Sequence, residues 1–243
     1  MNERIVIVTG ASKGIGEATA EKFARNQDIT YFVSRSGSEK KCKLLKGKGF
    51  NAYSYKCDLS NENQVRRMVK FIVKKHSRAD VLVNCAGIVE PGKVDEISLK
   101  EWNFIINNNL TNAFLMCKYL APFMKKHNYG KIISVSSIAG RSNSKFAGVH
   151  YVSAKAALIG LTRQLAYELG PHKINVNCVA PGQTRTEMLK SVLTPEKEEA
   201  LKKVIPLGYI AEPMQIANVI FFLASDEANY INGATIDVNG GQL

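Results

Sequence analysis

The stretch Ile5-Val6-Ile7-Val8-Thr9-Gly10-Ala11-Ser12-Lys13-Gly14-Ile15-Gly16 decides how the rest of the chain is read. Ile5–Thr9 has the character of a strand buried on both faces. The glycines that follow let the backbone turn sharply and approach a ligand closely. Ile15, Ala18, Ala20, Phe23 and Ala24 then recur at helical spacing. Gly14 and Gly16 open that helix, where free amides and the positive end of the dipole suit a pyrophosphate. A glycine-rich turn alone says little, since any strand-to-helix turn favours glycine. The strand before it and the helix after it give it meaning.

Outward from this turn the same alternation continues. Ile29–Val33 and Ala52–Tyr55 read as strands, followed by Val65, Met68, Val69, Ile72 and Val73 on one helix face. Val81–Val83, Ile132–Val135, Ile174–Val179 and Thr235–Val238 read as further strands. Between them lie a long helical stretch over Leu99–Lys126, with Pro122 as its expected kink or restart, and a helix Tyr151–Leu169 stopped by Gly170-Pro171. No linker, low-complexity run or repeat divides the chain. The expected fold is α/β: one Rossmann-like domain over residues 1–243, a doubly wound parallel sheet with helices on both faces. Its ligand crevice should lie at the carboxyl ends of the strands.

Composition excludes several classes. The 243 residues are 45% apolar and 22% charged, an ordinary globular balance with length enough for a sizeable core. No apolar run approaches the roughly 20 residues of a membrane helix, and the short apolar start lacks a signal-peptide cleavage pattern. A cytoplasmic location is expected. Cys42, Cys57, Cys85, Cys117 and Cys178 are odd in number and unpaired in spacing, as for thiols in a reducing compartment. His76, His127, His150 and His172 show no metal-ligand spacing, and no metal is expected. The 33 Lys and Arg against 21 Asp and Glu leave a net charge of +12, clustered at Lys40–Lys48, at Arg66–Arg78 and at Lys125, Lys126 and Lys131. Such a field attracts anions, yet no nucleic-acid motif accompanies it, and a solvated surface explains it equally.

Of the nine tyrosines, Tyr151 alone has a lysine four residues on, Lys155. On a helix these share a face, and the ammonium is expected to lower the phenol pKa toward the working range. That makes a proton donor suited to a ketone whose carbon is taking a hydride. Ser137 and its neighbour Ser136 follow the strand Ile132–Val135, so one hydroxyl should sit at the carboxyl end of the sheet. No G-x-S-x-G surrounds them, which argues against a hydrolase elbow.

The G-x-x-x-G-x-G spacing of Gly10, Gly14 and Gly16 resembles that of the short-chain dehydrogenase/reductase family. The resemblance covers essentially the whole chain. Asn84-Cys85-Ala86-Gly87 resembles the family's N-N-A-G, with cysteine in second place, and Asp58-Leu59 resembles the site of the adenine-binding acid. Pro181-Gly182, with Thr184 and Thr186, resembles the P-G-x-x-x-T segment beside the nicotinamide. The resemblance implies cofactor contacts from Gly10, Ser12, Lys13, Gly14, Ile15, Gly16, Arg35, Asp58, Leu59, Asn84, Ala86, Gly87, Tyr151, Lys155, Pro181, Gly182, Thr184 and Thr186. It implies a catalytic set of Asn109, Ser137, Tyr151 and Lys155, with Ser137 rather than Ser136 facing the substrate. Asn109 would hold a water that feeds the lysine, while Asn107 and Asn108 would be structural or exposed. The second strand ends Val33-Ser34-Arg35-Ser36 without an acid. Arg35 can fork two hydrogen bonds onto a 2′-phosphate and Lys13 can add charge, so NADP(H) is the expected cofactor.

Length, strand end and the Asp237-Val238-Asn239-Gly240-Gly241 ending are similar to reductases of the family that act on 3-oxoacyl-[acyl-carrier-protein] thioesters. An acidic carrier protein would suit the basic surface, with Lys125, Lys126 and Lys131 as a docking patch. Against this, Asn128, His172 and Tyr209 stand where those reductases often carry arginine. The Ser137-to-Tyr151 spacing is also one residue longer than the family's commonest, an excess expected in the loop Arg141–His150. Acetoacetyl-CoA, other carbonyls and sugars are alternative substrates. A non-catalytic NADP(H) sensor or nucleic-acid-binding protein is the alternative of another class. A homotetramer built on Leu99–Lys126 and on the segment with Ile236 and Val238 is expected, as is a mobile lid over about residues 186–208 carrying Met188, Leu189, Val192 and Leu193.

Overall fold

A computed structural model describes residues 3–190 and 193–243. Seven strands form one all-parallel sheet: β1 (Ile5–Thr9), β2 (Ile29–Ser34), β3 (Ala52–Lys56), β4 (Val81–Asn84), β5 (Gly130–Val135), β6 (Ile174–Pro181) and β7 (Thr235–Val238). Their order across the sheet is β3-β2-β1-β4-β5-β6-β7. The apolar runs arise because central strands are covered on both sides. Ile5, Ile7, Leu82, Ile132 and Val176 face one layer. Val6, Val8, Val81, Val83, Ile133, Val135 and Val179 face the other. The period-two alternation thus divides a single sheet between two cores.

On the first core lie α3 (Glu62–His76), α5 (Asn112–His127) and α6 (Val149–Leu169). Val65, Met68, Val69 and Ile72 are the buried face of α3, which starts where Asn61 accepts from the Gln64 amide and ends at left-handed Ser77. On the second core lie α1 (Gly14–Arg25), α2 (Glu39–Gly47) and α9 (Pro213–Leu223). α4 (Leu99–Ile106) opens on a Ser98–Glu101 capping box. α7 (Glu187–Lys190) and α8 (Pro195–Lys203) follow β6.

The long helical stretch is interrupted, though not at Pro122, through which α5 runs on. The interruption is a π-helical turn at Asn107–Thr111, where the Asn112 amide bonds the Asn107 carbonyl. Asparagine amides bond back to the main chain around it. Asn108 donates to the Phe104 carbonyl, Asn109 to that of Ile105 and Asn112 to that of Asn108. The run of amides supplies the hydrogen bonds that a changed helical register disturbs. The second helix begins at Val149, two residues before Tyr151, and ends in a 3₁₀ turn over Gly170–His172. Lys131 is a second correction. It is 1% exposed, with its ammonium bonded to Asn175 and Asn229, so it belongs to no surface patch.

The strand order reverses between β1 and β4, so the turns after these strands diverge around a crevice. There Gly10, at φ +67°, packs so closely on the β4 turn that a Cβ would lie 2.8 Å from the Ala86 Cα. The Thr9 hydroxyl accepts from the amides of Cys85 and Ala86 and donates to the Val83 carbonyl, stitching the two turns together.

Candidate active site

Around this crevice the structure gathers most of the residues singled out above. α1 begins at Lys13 with no side-chain cap, so its first amides are left for a ligand. Thr186 closes over the same helix start: a Cβ on Gly14 would lie 3.1 Å from the Thr186 methyl. Thr184 is 7% exposed and donates to the Gly182 carbonyl, fixing the turn after β6. These features fit a pyrophosphate without rearrangement.

Past the end of β2, Arg35 and Lys13 are exposed, and neither makes an ion pair among the described residues. The Arg35 segment is tied to the glycine turn by Ser38 Oγ, which donates to the Ala11 carbonyl at 3.0 Å, and by the Ala11 amide bonding the Val33 carbonyl. At the end of β3, Asp58 Oδ1 accepts from the Ser60 amide and hydroxyl. Its second oxygen is left to accept from a ligand such as an adenine amine. Leu59, 7% exposed, packs into the first core behind it. Asn84, at the end of β4, reaches Cys117 on α5 with its amide nitrogen at 3.5 Å, while its buried side-chain oxygen has no hydrogen-bond partner among the described residues.

The reactive group is assembled from β5 and α6. Lys155 is 4% exposed, and its ammonium donates to the Val135 carbonyl at 2.9 Å. Burial lowers its pKa, opposed only weakly by Cys85 and Cys178 nearby. Tyr151, on the same face of α6, has its ring centroid 5.6 Å from the Lys155 ammonium. Burial raises the phenol pKa above its ordinary value of 10, while the Ser137 hydroxyl draws it down. The net direction is opposite to the one expected from Lys155. A low-dielectric site disfavours phenolate and ammonium alike, and the nearby Cys85 adds to the rise of the phenol.

The two serines are told apart by their bonds. Ser136 Oγ donates to the Lys155 carbonyl at 2.7 Å, a tie between β5 and α6. Ser137 Oγ accepts from the Ala139 amide at 3.1 Å and lies beside Tyr151. Asn109 is 1% exposed, with its amide donating to the Ile88 carbonyl at 2.8 Å and its oxygen accepting from the Ile88 amide. Gly87 lies between the two: a Cβ there would be 2.6 Å from Asn109 Oδ1 and 3.2 Å from Lys155 Nζ. That steric role is legible only in the fold, as is the stitching by Thr9, whose signal in the sequence was one polar residue closing an apolar strand. Among the described residues no set of His, Cys, Asp or Glu side chains is placed to hold a metal ion. All five cysteines are free, and no described helix is long and apolar enough to cross a membrane.

A parallel sheet with an uncapped helix at its switch point, beside a serine, a tyrosine and a buried lysine, defines a nucleotide-dependent oxidoreductase. A family model described as enoyl-(acyl carrier protein) reductase matches residues 10–242. The 3-oxoacyl-[acyl-carrier-protein] reductase of Aquifex aeolicus is 36% identical over 243 residues, covering 99% of this chain and 97% of that one. That of Thermotoga maritima is 35% identical over 240 residues, covering 98% and 97%. The crystal structure of the Brucella melitensis 3-oxoacyl-[acyl-carrier protein] reductase superposes with a TM-score of 0.93 at 34% identity, covering 99% of this chain and 92% of that one. The chain belongs to the short-chain dehydrogenase/reductase family. It is an oxidoreductase that works on a carbonyl group with a nicotinamide cofactor.

Proposed function

We propose that this chain reduces the ketone of a 3-oxoacyl thioester on acyl carrier protein to the 3-hydroxyacyl form, with NADPH, in fatty acid synthesis. The observation that carries the chemistry is the placing of Tyr151 beside Ser137 and Lys155 at the crevice. The substrate class rests on the full-length likeness to reductases of that name, at 34–36% identity. When bound, NADPH supplies the hydride. Tyr151 gives its hydroxyl proton to the carbonyl oxygen, which would otherwise become an unsolvated alkoxide. Ser137 donates to the same oxygen and orients it. Lys155 holds the nicotinamide ribose and, with water at Asn109, returns a proton to Tyr151.

The choice of NADP(H) is supported by Arg35 and Lys13, two unpaired cations on a segment tied to the glycine turn. Gly10, Ser12, Gly14, Ile15 and Gly16 would cradle the phosphates, Asp58 and Leu59 the adenine, and Ala86, Gly87, Pro181, Gly182, Thr184 and Thr186 the nicotinamide half. We read the chain as one such unit with a lid over about residues 186–208, working as a homotetramer in the cytoplasm. Of the apolar lid residues, Val192 lies outside the described residues. Leu189 and Leu193 are half-buried.

One observation favours acetoacetyl-CoA or a similar small thioester as a second reading. With Lys131 buried, the docking patch for an acidic carrier shrinks to Lys125 and Lys126, and Asn128 beside them is uncharged. NADPH oxidation measured with acetoacetyl groups on carrier protein and on CoA decides between them. A kcat/KM at least tenfold higher for the carrier-bound form is expected, on the order of what two charged contacts supply. Equal values would favour the CoA reading, and no oxidation with either would reject both.

A further inference from the structure

We propose that His150 is the positioning residue of Tyr151, its ring nitrogen Nδ1 accepting from the Tyr151 amide. The inference rests on the reading of Tyr151 as proton donor. α6 starts at Gly148 without a side-chain cap, so the amides of its first turn need other partners. The Tyr151 amide finds two: the Gly148 carbonyl at 3.0 Å and His150 Nδ1 at 2.9 Å. His150 is 1% exposed, unusual for an imidazole with no metal to bind. Its ring lies against the Gly148 α-carbon, where a Cβ would come within 2.6 Å of Cε1 and 2.9 Å of Nδ1. Gly148 is held in turn by its amide bond to the Glu90 carbonyl at 2.9 Å. The ring is thus confined on the side of the helix start.

Accepting from an amide requires an unprotonated Nδ1, so the single ring proton sits on Nε2. A second proton would set an N–H against the Tyr151 N–H, repelling the turn that carries the phenol. Among neighbouring elements, α4 brings Glu101. Its carboxylate is held below its ordinary range chiefly by hydrogen bonds from Ser98. The loop after β4 brings Glu90, which turns its main-chain carbonyl to Gly148, and α6 itself carries Tyr151 and Lys155. The phenol must be protonated to reduce a ketone, so its own titration removes activity on the alkaline side.

Asparagine puts Oδ1 at the same bond distance from Cβ as Nδ1, so H150N keeps the acceptor and H150L removes it. The test follows ketone reduction at about pH 8 in wild type, H150N, H150L and Y151F. NADPH affinity is measured by fluorescence in each, and the imidazole nitrogens of the wild-type enzyme are read by NMR. H150N should recover kcat to within about threefold of wild type, because its oxygen accepts from the Tyr151 amide in place of Nδ1. H150L should lower kcat about tenfold with NADPH affinity kept, the scale of a slightly misplaced catalytic group. NMR should find the proton on Nε2. An H150N kcat as low as that of H150L, native kcat in H150L or a proton on Nδ1 would each overturn the proposal. Should H150L not fold, the H150N turnover and the NMR result still decide. Native turnover in Y151F would instead reject the donor reading, while the NMR result still tests the bond itself.

Discussion

Tyr151 and Lys155 pay for their place in opposite directions, the phenol pKa raised and the ammonium pKa lowered by the same burial. A donor that keeps its proton is what reduction needs at neutral pH. Tyr151→Phe removes one oxygen and keeps the ring, so turnover should fall by roughly two to four orders of magnitude, the scale of lost general acid catalysis. NADPH affinity should stay near native, and single-turnover hydride transfer measured beside a binding titration checks both. The raised pKa also sets a sign for stability. Tyr151 favours the folded state fully below pH 10, and that favour is lost as pH rises through the higher folded value. At the far end of the cofactor site, Arg35→Asp replaces a fork donor by a carboxylate that repels a 2′-phosphate. The ratio of NADPH to NADH affinity should drop by about ten- to a hundredfold, the scale of one charge-assisted hydrogen bond. Unequal titration curves for the two nucleotides in wild type are the prerequisite, and equal ones would reject the role of Arg35. The pair Tyr151 and Lys155 was legible because i and i+4 share a helix face whatever the surroundings. Lys131 was not, because nothing local marks a lysine whose partners Asn175 and Asn229 come from 44 and 98 residues away. Position after the strand does not by itself distinguish Ser136 from Ser137; the resemblance picks Ser137, and the physical difference lies in which hydroxyl meets the Lys155 carbonyl.

At the scale of elements, β1, β2 and β4–β6 were readable because a strand covered on both faces must be apolar throughout. α2 was not singled out: only Cys42 and Leu45 of its nine residues are buried, and lysines dominate the rest. Its place is set by docking on β3 rather than by periodicity of its own. The π turn was visible as three adjacent asparagines but not as a change of register, since that depends on a hydrogen-bond ladder no composition records. The proposed lid belongs to this scale. Arg185 clasps α8 through Glu198, with contacts of 3.1 and 2.8 Å, and holds Glu212 at 3.1 Å from its other edge. Arg185 and Lys202 hold the Glu198 carboxyl down at about 2. A depressed carboxyl pKa contributes above its ordinary value of 4.5 and is lost as pH falls through about 2, so the clasp should last well into acid. Glu198→Gln removes the charge and keeps the shape. Hydrogen exchange over Pro195–Lys203 should then speed up while the core strands exchange as before, and KM should change more than kcat. Exchange over α8 that ignores the substitution, and ignores cofactor and substrate together, would remove the lid.

Over the whole molecule, positive charge is concentrated in one stretch of the chain. Residues 35–78 carry thirteen lysines and arginines against three acids, so ten of the net twelve positive charges lie on α2, β3, α3 and their connections. This edge adjoins the adenosine end of the crevice, where a positive field concentrates a phosphate-bearing cofactor. Apolar side chains are exposed there too, at Leu44 and Phe71, and also on α4 and α5. Leu99 on α4 is 75% exposed, and Phe104 and Phe114 on α4 and α5 are about half exposed. A cleft beside them is lined by Leu110, Phe114, Ala157, Gly160, Leu161 and Gln164. Among the described residues β7 is the last strand at its edge of the sheet, and Tyr230 and Phe222 are further exposed apolar side chains. A bare strand edge and a bare helix pair invite association unless they are covered. Two distinct self-complementary faces of this kind generate a closed tetramer of two-fold symmetry. Phe114→Glu places a charge in the middle of the helix-pair face and leaves the β7 face intact. Light scattering at micromolar concentration should therefore give four chain masses for wild type and two for the variant, with far-ultraviolet circular dichroism unchanged. A wild-type monomer would refute the assembly, and a variant that stays tetrameric would move the interface away from α5 and α6.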